Sequence, residues 1–224
     1  MFRSCLLALF GFGLNLSLHA GNLDPIVLGD ISPQFEDTLN HSISELPPGI
    51  QGWLGERGVR IVAGKFLTET RPDLKGLTPR GYPQGSTWDM SEGLHDRGTV
   101  YLPEFKRLGS RGGRLERIDS TRVSQVLHHE VGHAIDFYTG FSQTEEFKAA
   151  YEKEKAEYLK EGTRRGRVDL SYFLLNGEAG RKETFGEIFS SLYNPTPSAE
   201  AELLHKCFPE TCKVVASQIK TLPL

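Results

Sequence analysis

The chain has 224 residues with 38% hydrophobic and 25% charged side chains, and its formal net charge is -3. This balance is typical of a globular domain and excludes collagen-like, coiled-coil and wholly disordered proteins. The small net charge gives no global attraction to nucleic acid or to an anionic membrane, so we expect neither as a partner. A chain of this length buries enough apolar surface to fold without a structural metal.

Residues 1–20 have the pattern of a secretory signal peptide: Arg3, then an apolar run over residues 6–14, then a weakly polar tail. The run is about nine residues long, well short of the ~20 that span a bilayer. We therefore expect cleavage after Ala20 and no stable membrane insertion. The expected product is a secreted protein, extracellular or periplasmic, with one domain over residues 21–224.

Cys207 and Cys212 remain after removal of the predicted signal. Because exported proteins meet oxidising conditions, the close pair with Pro209 between its members predicts a small disulfide loop. The alternative is a metal site formed by His205 and the two cysteines, which lacks a fourth ligand.

Apolar periodicity predicts an α+β fold, with a small N-terminal β-sheet region followed by a helical half. Strands are predicted at residues 59–63 and 99–102, with a loop over residues 68–97 that contains one more short strand near Trp88. Helices are predicted at residues 34–46, 121–138, 144–160, 183–193, 198–206 and 211–222. Ser142 and Glu145 have the spacing of a capping box at the start of the third helix.

One segment before the helix at residues 121–138 is strongly basic. Its cations, opposed only by Glu116 and Asp119, are Lys106, Arg107, Arg111, Arg114, Arg117 and Arg122. We interpret the segment as a solvated, glycine-rich loop; the alternative is a rim that favours acidic substrates.

The helix at residues 121–138 contains an HExxH motif formed by His129, Glu130 and His133. Side chains at i and i+4 lie on one helix face, so both imidazoles can reach one Zn²⁺ at roughly 2.1 Å. The intervening glutamate is offset from the ligands, where it can act as a general base on metal-bound water.

A helical wheel at about 100° per residue separates this motif from the apolar side of the helix. The predicted core positions are Val123, Leu127, Val131, Ala134 and Tyr138. His128 projects about 100° away from His129, so we interpret it as a packed or rim histidine rather than a ligand.

A catalytic zinc needs a third protein ligand, and the third histidine of the extended motif is absent because Thr139 occupies its position. Glu183 is the preferred candidate, since it shares a polar helix face with Glu187, whose carboxylate could orient a ligating histidine. Glu178 and Glu187 remain alternative ligands. Asp136 faces the metal side but lies too far along the helix from His129, so we assign it a supporting role.

The strings HHEVGHAID and ETFGEIF resemble the anthrax lethal factor-like zinc metallopeptidases, which include the secreted Pro-Pro endopeptidases. The resemblance covers residues 95–222. It implies that His129, His133 and Glu183 bind zinc and that Glu130 is the base.

The same resemblance implies a tyrosine that stabilises the oxyanion shortly before the third ligand. Here the usual position is Asn176, and the nearest upstream tyrosine is Tyr172, which is the candidate for this role. The family also binds its substrate along an edge strand, for which residues 99–102 are the expected match.

Together these observations predict a secreted, monomeric zinc metalloendopeptidase that acts on protein or peptide substrates. One alternative is a zinc hydrolase for a non-protein amide such as that of the cell wall. Another is a non-catalytic binding or toxin-like module. The intact Glu130 argues against this last alternative, because a module without turnover has no need of a base.

Overall fold

The structure is a computed structural model that describes residues 23–79, 82–109, 113–160, 164–165 and 168–224. The predicted signal peptide and its cleavage after Ala20 lie outside these residues. No helix in the described ranges is long and apolar enough to cross a membrane.

The N-terminal half contains a four-stranded sheet in the order β1-β2-β4-β3. Strands β1, β2 and β4 are parallel, whereas β3 is antiparallel to β4 and forms one edge of the sheet. The strands are β1 (Ile26–Leu28), β2 (Arg60–Gly64), β3 (Leu94–Asp96) and β4 (Thr99–Pro103). The β-branched residues Ile61 and Val100 are fully buried in the two central strands, which anchors the sheet on the core.

Three short helices accompany this sheet, and two small hairpins follow it. The helices are α1 (Pro33–Glu45), α2 (Pro48–Glu56) and α3 (Leu67–Thr70). The hairpins pair β5 (Phe105–Arg107) with β6 (Leu115–Arg117), and β7 (Arg164–Arg165) with β8 (Val168–Asp169).

The rest of the chain is helical. Its helices are α4 (Ser120–Thr139), α5 (Glu145–Lys160), α6 (Glu178–Tyr193), α7 (Ala199–Cys207) and α8 (Pro209–Lys220). This arrangement confirms the predicted α+β fold with a small sheet before a helical half.

Helix α4 lies at the centre of the core, against the sheet, α1 and α6. Asp119 caps its start by accepting from the backbone N–H of Arg122 at 3.0 Å. Gly140, with φ +67°, ends it in the left-handed conformation. Of the predicted core positions, Val123, Leu127, Val131 and Ala134 are buried, whereas Tyr138 is 40% exposed and its hydroxyl donates to the Arg57 carbonyl.

Helices α4 and α6 cross at a point where both carry glycine. A Cβ on Gly132 would lie 2.9 Å from the Cα of Gly186 and 3.1 Å from the Cβ of Phe189. Because real Cβ contacts are not this short, the two backbones approach as closely as they do only without side chains here. This close approach sets the distance between the polar faces of the two helices.

Several predicted boundaries were wrong. Helix α6 begins at Glu178, several residues before the predicted start at Glu183. The segment at Trp88 is a 3₁₀ turn rather than a strand. The short strand within residues 68–97 is β3 instead. Thr144, not Ser142, caps α5, because its hydroxyl accepts from the Phe147 N–H at 3.3 Å.

The prediction that residues 99–102 form an edge strand for the substrate was also wrong. Strand β4 is interior, with β2 on one side and β3 on the other. An interior strand has no free backbone groups to offer to a peptide, so the open edge beside α4 belongs to β3.

The predicted disulfide between Cys207 and Cys212 is absent, and both thiols are free. Cys207 ends α7, whereas Cys212 lies in the first turn of α8 with its side chain in the core. The buried Phe208 separates the two helices. Burial and the nearby charge of Glu154 raise the pKa of the Cys212 thiol to about 12, which makes it a poor nucleophile.

Candidate metal centre and its cleft

His129 and His133 lie one turn apart on α4, and their rings meet edge to face with centroids 4.6 Å apart. Both side chains are 14% exposed and line an open cleft of about 1080 Å³. The sequence places them there because α4 buries its opposite face against the core.

Glu183, from α6, points between the two imidazoles. Its Oε2 lies 3.2 Å from Nε2 of His129 and 3.3 Å from Nε2 of His133. Potential ligand atoms of the three residues all lie within 4.8 Å of one another. Ligand atoms around a tetrahedral zinc with bonds of about 2.1 Å are themselves roughly 3.4 Å apart, so this nitrogen and oxygen set fits the ion.

Glu187 lies one turn beyond Glu183 and accepts a hydrogen bond from Nδ1 of His129 at 2.8 Å. Its other carboxylate oxygen accepts from the hydroxyl of Ser198. The proton of His129 is thereby held at Nδ1, which leaves Nε2 free to bind a metal. Glu187 therefore orients a candidate ligand and is not in the candidate ligand set itself.

Opposing effects of burial and of charged neighbours set the pKa values of His129 and Glu183. Burial acts to lower the pKa of His129, but hydrogen bonds with Glu183 and Glu187 raise it to about 10. Burial likewise acts to raise the pKa of Glu183, but the two histidines hold it well below its usual range. Pairing with the two carboxylates therefore outweighs burial and favours the charged form of His129.

Glu130 is buried beside this centre and lines the same cleft. Burial raises the pKa of its carboxyl, while His133 and His129 and the backbone N–H of His95 act in the opposite direction. A buried carboxyl with a raised pKa, next to the candidate metal centre, is suited to general base chemistry.

Tyr172 lies in the turn after β8 and lines the cleft, and the residue is 46% exposed. Partial burial of its side chain and the negative charge of Glu183 raise the pKa of its hydroxyl, so the group stays protonated and can donate a hydrogen bond. Asn176, at the usual position of the tyrosine, also lines the cleft.

His95 was not singled out from the sequence. It lies on β3, where its ring stacks on that of His133 at 6.4 Å and meets Phe137 edge to face at 5.7 Å. Burial and the nearby His133 lower its pKa to about 4, and its Nε2 accepts from the Gly98 N–H at 3.1 Å. The three-residue strand that carries His95 is too short to show alternation, and it lies inside a segment otherwise typical of a loop.

The other polar residues considered for the centre have structural partners. His128 is fully buried, with its Nε2 2.8 Å from the Ser42 carbonyl oxygen. Asp136 accepts from the backbone N–H and hydroxyl of Ser142 at 2.7 and 2.6 Å, which fixes the turn after α4. Glu178 pairs with Lys182 at the rim of the cleft.

Where the structure describes it, the basic segment pairs residues 105–107 with 115–117 as the β5–β6 hairpin, and acidic groups pair with its cations. Salt bridges join Lys106 to Glu92 and Glu116, Arg107 to Asp89, Arg114 to Glu116, Arg117 to Glu104 and Arg122 to Glu92. Arg111 lies outside the described residues. This pairing leaves little free positive charge for an acidic substrate.

No protein-family model matches the sequence, and no curated protein matches it. Among solved structures, a PRO-PRO endopeptidase (PPEP-2) from Paenibacillus alvei matches with a TM-score of 0.58 and 24% sequence identity. The match covers 87% of this chain and 97% of that chain. The protein therefore has the α+β fold of that endopeptidase.

Proposed function

We propose that this protein is a secreted zinc endopeptidase with His129, His133 and Glu183 as metal ligands. The observation that carries the proposal is that these side chains, from two helices, converge next to the buried Glu130 in an open cleft. The fold shared with a Pro-Pro endopeptidase supports the peptidase assignment. Secretion of one domain, residues 21–224, follows from the signal pattern in residues 1–20.

His129, His133 and Glu183 would hold the zinc ion, which would supply Lewis acidity to polarise a carbonyl group and to make water easier to deprotonate. Glu130 accepts the proton of the attacking water at its carboxylate and later delivers it to the leaving amine nitrogen. The neutral hydroxyl of Tyr172 donates to the oxygen that becomes negative in the tetrahedral intermediate. Glu187 holds the imidazole of His129 in the tautomer that the reaction needs.

The substrate is a peptide that lies extended in the cleft beside β3. An edge strand offers free backbone groups, and an extended peptide can pair with them. The cleft is open and is lined by the aromatic residues Tyr82, Trp88, Phe137 and Tyr172. Because the structurally similar protein is a Pro-Pro endopeptidase, peptides with a central Pro-Pro bond are the first substrates to test.

The test is cleavage of such peptides by the purified protein, followed by mass spectrometry. We expect hydrolysis that stops when a chelator removes the metal and returns when one equivalent of Zn²⁺ is added. Matched peptides with Ala-Ala in place of Pro-Pro show whether the protein prefers Pro-Pro bonds or cleaves peptide bonds generally. Undiminished cleavage after complete metal removal would refute the proposal, and so would a zinc-loaded protein that hydrolyses no peptide or protein.

A further inference from the structure

Residues 92–95, here called the base clamp, connect the loop before β3 to the edge strand itself. They run along α4 at the wall of the cleft. Three separate contacts hold this segment, and two of them involve Glu130, the proposed base.

Glu92 fixes the start of the base clamp through two cations on different elements. Its Oε1 lies 2.6 Å from Nζ of Lys106 on β5, and its Oε2 lies 2.6 Å from Nε of Arg122 in the first turn of α4. The Glu92 side chain is only 20% exposed, so these pairs are less screened by water than surface pairs. They hold the segment against both β5 and α4.

Gly93 brings the clamp backbone into direct contact with the base. A Cβ at this position would lie 2.5 Å from Cγ1 of Val126 and 2.9 Å from Oε1 of Glu130. Gly93 is not among the residues with positive φ, so it is needed for space rather than for backbone conformation. Its carbonyl accepts from the hydroxyl of Ser91 at 3.0 Å, which adds a local restraint.

His95 supplies the third contact, because its backbone N–H donates to the carboxylate of Glu130. The Glu130 side chain thus meets the base clamp at two points, the Gly93 backbone and the His95 N–H. We propose that the base clamp positions the Glu130 carboxylate for proton transfer, with Gly93 and Glu92 as positioning residues. This inference rests on the proposed function, in which Glu130 is the base.

The expected consequence is a defect in turnover alone. Displacing a catalytic group by about 1 Å can cost on the order of a hundredfold in rate. Because Glu92 and Gly93 precede β3 and are not candidate metal ligands, the metal and the ground-state binding of a peptide should be retained when they are replaced.

The test compares Gly93→Ala and Glu92→Gln with a matched control, Gly52→Ala, where a Cβ would meet nothing within 4 Å. We expect Gly93→Ala to lower kcat at least about tenfold, with KM within about twofold and zinc stoichiometry unchanged. Glu92→Gln should lower kcat by a smaller factor, and Gly52→Ala should leave kcat and KM as in the wild type.

An unchanged kcat in a folded, zinc-loaded Gly93→Ala protein would overturn the inference, and so would a kcat that falls only in proportion to lost zinc. If circular dichroism shows that Gly93→Ala does not fold, the Glu92→Gln variant tests the inference in its place. An unchanged kcat in Glu92→Gln would then overturn the inference. Inactivity of the zinc-loaded wild type and of Gly52→Ala would instead refute the proposed function itself.

Discussion

Besides Glu92, four glutamates among the described residues line the cleft, and their neighbours define what each can do. Glu183 faces two imidazole nitrogens, Glu187 faces Nδ1 of one histidine, and Glu130 faces a backbone N–H. Glu178 instead pairs with a lysine at the rim. One residue type therefore supplies a candidate ligand, an orienting group, a candidate base and a solvated ion pair.

Replacement of the proposed third ligand should affect metal binding first. We expect Glu183→Ala to lose most of its zinc on dialysis against a weak chelator, because two imidazoles alone hold the ion poorly. Zinc content per chain, measured by atomic absorption, checks this. The control is Glu178→Ala on the same helix, which should keep the wild-type content. Equal zinc content in Glu183→Ala and the wild type would assign the third ligand to another residue.

The candidate residues within each helix could be singled out because their spacing is local. The i, i+4 spacing of His129 and His133 fixes a shared helix face, and the same spacing relates Glu183 to Glu187. Tyr172 and His95 lie in a turn and on a strand of three residues. Their position near the candidate metal centre depends on how distant segments of the chain pack together. Short-range periodicity in the sequence does not indicate such packing.

At the scale of elements, the centre depends on the contact between α4 and α6. Gly132 and Gly186 let the helices approach, and the Ser190 hydroxyl donates to the Gln125 carbonyl across the same interface at 3.0 Å. Since His133 and Glu183 come from different helices, the separation of the helices sets the distance between the candidate ligands.

A methyl group at this crossing should be costly. We expect Gly132→Ala to lower the free energy of unfolding by about 1–3 kcal/mol, because the Cβ contacts backbone and cannot be relieved by a side-chain rotation. Urea denaturation of the metal-free protein measures this without a contribution from zinc binding. Gly52→Ala, in an open part of α2, serves as the control and should change stability by less than about 1 kcal/mol. A Gly132→Ala protein as stable as this control would contradict the close-packed crossing.

Helix α2 and strand β3 were not predicted from the sequence, and the physical reason is the same for both. Helix α2 follows Pro47 and contains three glycines, a composition typical of a loop, yet Ile50, Trp53 and Leu54 bury it in the core. Strand β3 is too short to show alternation and is formed by pairing with β4. In both cases tertiary packing overrides a weak local preference.

At the scale of the whole molecule, charge pairing and shape agree with a peptide substrate. The cations of the β5–β6 hairpin are largely paired, and the net charge is -3, so no strong field selects a polyanion. The large open cleft is instead lined by residues of β3, α4 and α6, among them the candidate metal ligands. Because these three elements all contribute lining residues, the proposed activity requires them together.

The most direct test of the central claim is a comparison of cleavage sites made by the wild type and by Glu130→Ala in a complex peptide mixture. With zinc bound to both proteins, we expect the wild type to generate a consistent set of new termini. Loss of the base should lower their rate of formation at least about a hundredfold. Equal cleavage by zinc-loaded Glu130→Ala at the same sites would contradict the account.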